Sequence, residues 1–165
     1  MKPVLACVGL GANLGDAAAT VRTALQALDA LPHTRLVRAS RLYRTPPWGK
    51  TSQPHFVNAV AVLETQLDAR DLLDGLLGIE REFGRVRATD GTDRWGARTL
   101  DLDLLLHGDT RVDEPGLHVP HPHLHERAFA LLPLVEVMPD AVIPGRGGAR
   151  DLLAAMVTGD IEAIG

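Results

Sequence analysis

Apolar and polar positions along the chain repeat with two periods. Residues 4–8 form a short unbroken apolar run that predicts a buried strand. Residues 35–45 alternate, with Val37, Ala39 and Tyr43 against Arg38, Ser40 and Arg44, and read as a second strand. Residues 56–64 form a third, with Val57, Ala59, Ala61 and Leu63 on one face and Phe56, Asn58, Val60 and Val62 on the other. In a fourth, Leu100, Leu102 and Leu104 oppose Asp101 and Asp103. Between strands the period changes to that of a helix. Asp16 is a fitting N-cap for a stripe of Ala17, Val21, Ala24, Leu25, Leu28 and Leu31, which Pro32 closes. Asp68 caps a second helix through Leu72, Leu76, Ile79 and Phe83, with Gly84 expected as its C-cap. Arg127 and Phe129 open a third helix, and residues 151–156 predict a small terminal one.

The order through the fourth strand is β-α-β-β-α-β. Two strands meeting without a helix between them exclude a doubly wound sheet. The prediction is an α+β fold, a ferredoxin-like βαββαβ sandwich with helices packed on an antiparallel sheet and a C-terminal extension. Residues 1–165 are expected to form one domain. Residues 9–15 read as a glycine turn between the first strand and first helix. Their spacing, G-x-G-x-x-x-G, is not that of a dinucleotide fold, and no acidic residue ends the second strand. Gly11 instead predicts close backbone approach to another strand or to a flat ligand.

Composition narrows the setting. A chain of 165 residues, 45% hydrophobic and 23% charged, is that of an ordinary globular protein. A formal charge of −4 argues against general nucleic-acid or acidic-membrane binding. Cys7 is the only cysteine, and the apolar run at residues 4–8 is too short for an export signal or membrane span. A cytoplasmic monomer is expected. His118, His121, His123 and His125 raise a transition-metal site, but prolines hold them on an extended or turning backbone and no cysteine completes a zinc set.

The candidate chemistry lies in Arg94-Trp95-Gly96-Ala97-Arg98-Thr99-Leu100-Asp101-Leu102-Asp103-Leu104-Leu105-Leu106. Two carboxylates on one strand face repel unless positive charge lies between them, and hard cations such as Mg²⁺ are the economical choice. Arg94 and Arg98 beside them are shaped to grip phosphate oxygens, which together describes a nucleotide-triphosphate site. The plain alternative is a solvated strand face with salt bridges. Arg85, Arg87, Arg94 and Arg98 place four arginines within fourteen positions of an acidic protein. Asn58 either pairs with backbone or water, or reads a planar heterocycle on which Phe56 stacks. Residues 45–54, with three prolines and Trp48, are a lid or a plain connector.

These residues resemble the 6-hydroxymethyl-7,8-dihydropterin pyrophosphokinase family. The arginine-to-leucine stretch above is similar to its signature. Three further runs match in order: Tyr43-Arg44-Thr45-Pro46-Pro47-Trp48-Gly49, Gln53-Pro54-His55-Phe56-Val57-Asn58-Ala59-Val60, and Val119-Pro120-His121-Pro122 with Glu126-Arg127-Ala128-Phe129. The resemblance implies transfer of the β,γ-diphosphate of ATP to the pterin hydroxymethyl oxygen, releasing AMP, in folate biosynthesis. It implies that Asp101 and Asp103 hold two Mg²⁺ ions, with Arg85, Arg94 and Arg98 completing the catalytic set. Phe56 and Phe129 would sandwich the pterin, with Gly11, Thr45, Pro47 and Asn58 at its edge. Glu80, Arg87, Arg94, Trp95, Arg98, His121 and Arg127 would line the ATP side. The Gly11 turn and residues 45–54 and 85–98 resemble the family's closing loops. Two other readings are a base-stacking nucleic-acid module, which an acidic chain with 4% aromatics disfavours, and a family member that binds pterin without turnover.

Overall fold

A computed structural model describes residues 2–13, 15–45, 55–88 and 100–165, with the backbone alone for 85–88. In chain order the first half contains β1 (Val4–Ala12), α1 (Ala17–Asp29), β2 (Thr34–Ala39), β3 (Tyr43–Thr45), β4 (Phe56–Thr65) and α2 (Ala69–Ala88). The second half contains β5 (Asp101–His107), β6 (Val112–Glu114), β7 (Leu117–Val119), a 3-10 turn at Leu124–Glu126 and α3 (Ala128–Val137). It ends with β8 (Val142–Ile143), β9 (Gly147–Gly148), α4 (Ala149–Ala154) and β10 (Glu162–Ala163). The main sheet runs β10-β3-β4-β1-β5, with β2 also on β4, and every pairing in it is antiparallel. β6–β7 and β8–β9 are separate hairpins.

The sheet is covered on both faces. Val8, Leu10, Ala59, Ala61, Leu63, Leu102 and Leu104 pack with the buried stripes of α1 and α2, including Val21, Leu28, Leu72 and Leu76. Cys7, Val60, Val62, Leu105 and Leu106 pack with Leu131, Leu134 and Val137 of α3 on the other face. The predicted caps hold: Asp16 Oδ1 accepts the Ala19 amide at 3.1 Å, and Asp68 Oδ1 accepts that of Asp71 at 2.8 Å. Each such cap contributes about 1 kcal/mol.

Four expectations need correction. The glycine stretch after residue 8 is not a turn through residue 12, because β1 continues to Ala12 with ladder partners on both sides. The single strand expected over 35–45 is two, β2 and β3, both on the same edge of β4. At the break the Ser40 amide donates to the Val60 carbonyl at 2.9 Å, and Ser40 Oγ accepts the Val60 amide at 3.0 Å. A hydroxyl thus takes over a rung of the backbone ladder. Gly84 does not end α2, which continues to Ala88. A mid-helix glycine costs only about 1 kcal/mol, too little to stop a helix docked along its length. Arg85 and Arg87 therefore stand on a helix rather than in a loop. The small terminal helix begins earlier than expected, at Ala149, and the three short pairings β6–β7, β8–β9 and β10–β3 had no periodicity to announce them. No described helix is long and apolar enough to cross a membrane.

Candidate active site

Strand register builds the site. Across β4, β1 and β5, Asn58 stands beside Gly11 and Gly11 beside Asp101, while in the next row on that face Val60, Gly9 and Asp103 align. Residues paired across strands share a face, so the two carboxylates and the Asn58 amide flank a strip where β1 offers no side chain. A side chain at Gly11 would crowd its neighbour, whereas one at Gly9 would meet ordinary contact. A Cβ on Gly11 would lie 3.0 Å from Asn58 Oδ1, and one on Gly9 would lie 3.4 Å from Leu105 Cδ1. The glycines give a flat floor, which is the close approach expected of Gly11.

Above this floor is a cavity of about 930 Å³, near the upper end of the roughly 300–1,000 Å³ typical of small-molecule sites. Gly11, Thr45, Phe56, Asn58, Asp101, Asp103, His121, Arg127 and Phe129 all line it, so the structure brings together nine of the predicted residues. Asn58 and Thr45 are buried, and Asn58 Nδ2 donates to Thr45 Oγ1 at 3.0 Å. That bond links β4 to the end of β3 and fixes the amide. Phe129 opens α3, and the Arg127 guanidinium lies 5.7 Å from its ring centre, close enough for a cation–π contact.

β5 is the last strand of the sheet on its side, and its outer backbone groups are met by other means. Glu80 Oε2 on α2 accepts the Leu102 amide at 2.7 Å, between the two aspartates. The His121 amide donates to the Leu105 carbonyl at 3.0 Å, which brings the ring Nε2 to 3.9 Å from Asp103 Oδ1. Burial lowers the His121 pKa, opposed by the Asp103 charge and assisted by Arg127 and His123. Burial thus favours the neutral imidazole, and its Nδ1 accepts the His123 amide at 3.1 Å, which leaves the proton on Nε2.

The chemistry of this donor set suits hard cations. Asp103 is 46% exposed in its side chain, so its oxygens are open to the cavity. Among the described residues no group of three or more His, Cys, Asp or Glu could hold a metal by itself. Two carboxylates supply only part of an octahedral oxygen shell, an arrangement that fits Mg²⁺, which usually keeps waters and phosphate oxygens. His118, His123 and His125 point to other partners: His118 to Asp113 at 2.8 Å, His123 and His125 to Glu126 at 3.2 and 3.7 Å.

Pro47, Arg94, Trp95 and Arg98 lie outside the described residues, as do positions 46–54 and 89–98 of the expected closing loops. Sequence reasoning missed the C-terminal wall of the cavity, formed by Met156, Val157, Asp160 and Ile161. No motif marks these residues; the packing of Met156 against the core and the pairing of β10 with β3 bring them there.

A family model for 7,8-dihydro-6-hydroxymethylpterin-pyrophosphokinase (HPPK) matches residues 7–139. The 2-amino-4-hydroxy-6-hydroxymethyldihydropteridine pyrophosphokinase of Pseudomonas aeruginosa is 48% identical over 157 residues, 95% of this chain and 94% of that one. Its counterpart in Methylorubrum extorquens is 43% identical over 159 residues, 96% of this chain and 98% of that one. In fold, the chain is similar to wild-type Plasmodium falciparum HPPK-DHPS in its crystal structure with SDX-DHP, at a TM-score of 0.71 and 15% identity. That match covers 98% of this chain and 47% of the longer one, so this chain spans under half its length. With a family match over most of its residues and relatives this similar from end to end, the chain belongs to the 7,8-dihydro-6-hydroxymethylpterin-pyrophosphokinase family.

Proposed function

We propose that the protein transfers the β,γ-diphosphate of ATP to the hydroxymethyl oxygen of 6-hydroxymethyl-7,8-dihydropterin, giving the pterin diphosphate and AMP in folate biosynthesis. The observation that carries this reading is the alignment of Asn58, Gly11 and Asp101 across three strands. It sets an amide for a heterocycle edge and a carboxylate pair for polyphosphate on either side of a flat glycine floor.

Phe56 and Phe129 hold the pterin ring between them, and Asn58 reads its edge with Gly11, Thr45 and Pro47. The Thr45 bond holds the Asn58 amide in one orientation, so little ordering remains to be done when the ring binds. Asp101 and Asp103 hold two Mg²⁺ ions, which when bound neutralise triphosphate charge and orient it. Glu80, Arg87, Trp95, His121 and Arg127 line the nucleotide side. Arg85, Arg94 and Arg98 stabilise charge on the transferring group and on departing AMP. In its neutral form His121, whose Nδ1 accepts the His123 amide at 3.1 Å, donates from Nε2 to a phosphate oxygen without adding charge. The hydroxymethyl oxygen attacks the β-phosphorus in line with the oxygen bridging to the α-phosphate; that bond breaks, AMP leaves with the oxygen, the hydroxyl proton is released, and no protein nucleophile is required.

We read residues 1–165 as one ferredoxin-like domain, a cytoplasmic monomer. The fold reading is supported by the strand order β5-β1-β4 followed by β2 and β3, which together occupy one position. Incubation with ATP, Mg²⁺ and the reduced pterin alcohol tests the reading: AMP is the expected nucleotide product, and ADP alone would reject it.

A further inference from the structure

Met156, Val157, Asp160 and Ile161 line the cavity, and the chain beyond them joins the sheet. β10 pairs with β3, Glu162 beside Arg44 and Ala163 beside Tyr43, and the Arg44 guanidinium donates to the Glu162 carboxylate. The Ile164 amide donates to the Leu42 carbonyl at 2.8 Å, and the Leu42 amide to the Gly165 carbonyl at 3.4 Å. These bonds stitch the tail to the three residues that immediately precede Thr45. Just upstream, Met156, Val157, Asp160 and Ile161 form a wall of the cavity. Val157 is 86% exposed, an aliphatic side chain held in water at the lip of a ligand-sized hollow. Its apolar surface is available to whatever flat group enters.

We infer that the C-terminal segment is a specificity-determining part of the pterin subsite. Val157 and Ile161 contact the bound ring as an apolar wall, and β10 is a positioning strand that holds β3, and through it Thr45 and Asn58, in register. The inference rests on the reading of this cavity as the pterin site. It predicts that damage to the segment is felt by the ring and not by the nucleotide. A merely structural tail would weaken both ligands together.

Two variants test it, Val157→Asp, which changes an exposed side chain, and a chain ended after Ile161, which removes β10. Binding of the pterin alcohol is followed by its own fluorescence, nucleotide binding with a non-hydrolysable ATP analogue, and turnover by AMP release. Val157→Asp is expected to weaken pterin binding about fivefold and the shortened chain about tenfold or more, with the loss in KM rather than kcat. Affinity for the ATP analogue stays within about twofold in Val157→Asp. Unchanged pterin binding in Val157→Asp overturns the inference, as does an equal loss for both ligands. Should the unaltered protein form no AMP yet bind the pterin, with Val157→Asp weakening that binding, the transfer reading falls and this one stands.

Discussion

Asn58 Oδ1 lies 3.0 Å from the point a Cβ on Gly11 would occupy, on the strand paired beside it. The amide is tied from its other side to Thr45, so it has little freedom to yield. A methyl group on Gly11 would push the amide away from the flat floor or tilt β1.

Gly11→Ala is therefore expected to raise the KM for the pterin alcohol about tenfold, with a smaller effect on ATP. Thr45→Val, which keeps the shape and removes the bond to Asn58, is expected to change the same parameter in the same direction. Steady-state kinetics with each substrate varied in turn checks both. Equal effects on ATP would mean that the floor serves the two ligands alike.

Asp103→Ala is expected to abolish AMP formation while pterin binding remains within about threefold of normal. The carboxylate stands across the glycine strand from Asn58 and one row removed from it. Turnover by quench-flow and pterin fluorescence titration separate the two. Normal turnover in this variant would remove the metal assignment.

Glu80→Ala strips the Leu102 amide of its acceptor. A part-buried amide left without a partner costs about 1–2 kcal/mol, and the melting temperature is expected to fall accordingly. Leu102 lies between Asp101 and Asp103, so turnover should fall with it. Thermal unfolding and AMP release measured on the same sample check the pair of effects. Glu80→Gln, which retains an acceptor oxygen, should recover most of the stability.

Burial pushes the Cys7 thiol up to about 12 from its ordinary 9.0. At pH 8 only about one molecule in ten thousand carries the native thiolate, so iodoacetamide is expected to leave the folded protein unlabelled. Labelling should become rapid in denaturant. The folded pKa is above the unfolded one, so the neutral thiol supports the fold fully below pH 9. That support is lost as pH rises through about 12. Mass spectrometry across pH 8–11 reads the onset.

Much of this was legible in the chain because the strongest signals were alternations with chemistry on one face. The Asp101/Asp103 strand and the Phe56/Asn58 strand each stood out that way, and both lie where that pattern put them. What escaped detection depended on contacts between distant residues. Ser40 ends a strand by offering its own hydroxyl to Val60, which no local pattern distinguishes from an ordinary polar strand position. Gly84 has the residue type of a C-cap, yet the docked face of α2 outweighs it. Nothing local marks Glu80 as the acceptor of the Leu102 amide, because that bond needs β5 in place before it exists. The tail at Met156–Ile161 has no motif at all, because core packing at Met156 and the unpaired side of a three-residue strand hold it from its two ends.

The way β5 is finished also bears on how the molecule behaves in company. An outermost strand with a full row of free amides and carbonyls is a template on which foreign chains assemble. Here the Leu102 amide is claimed by a carboxylate and the Leu105 carbonyl by the His121 amide, so an incoming strand meets an interrupted ladder. The same two bonds that frame the aspartates for chemistry thus protect that flank against aggregation.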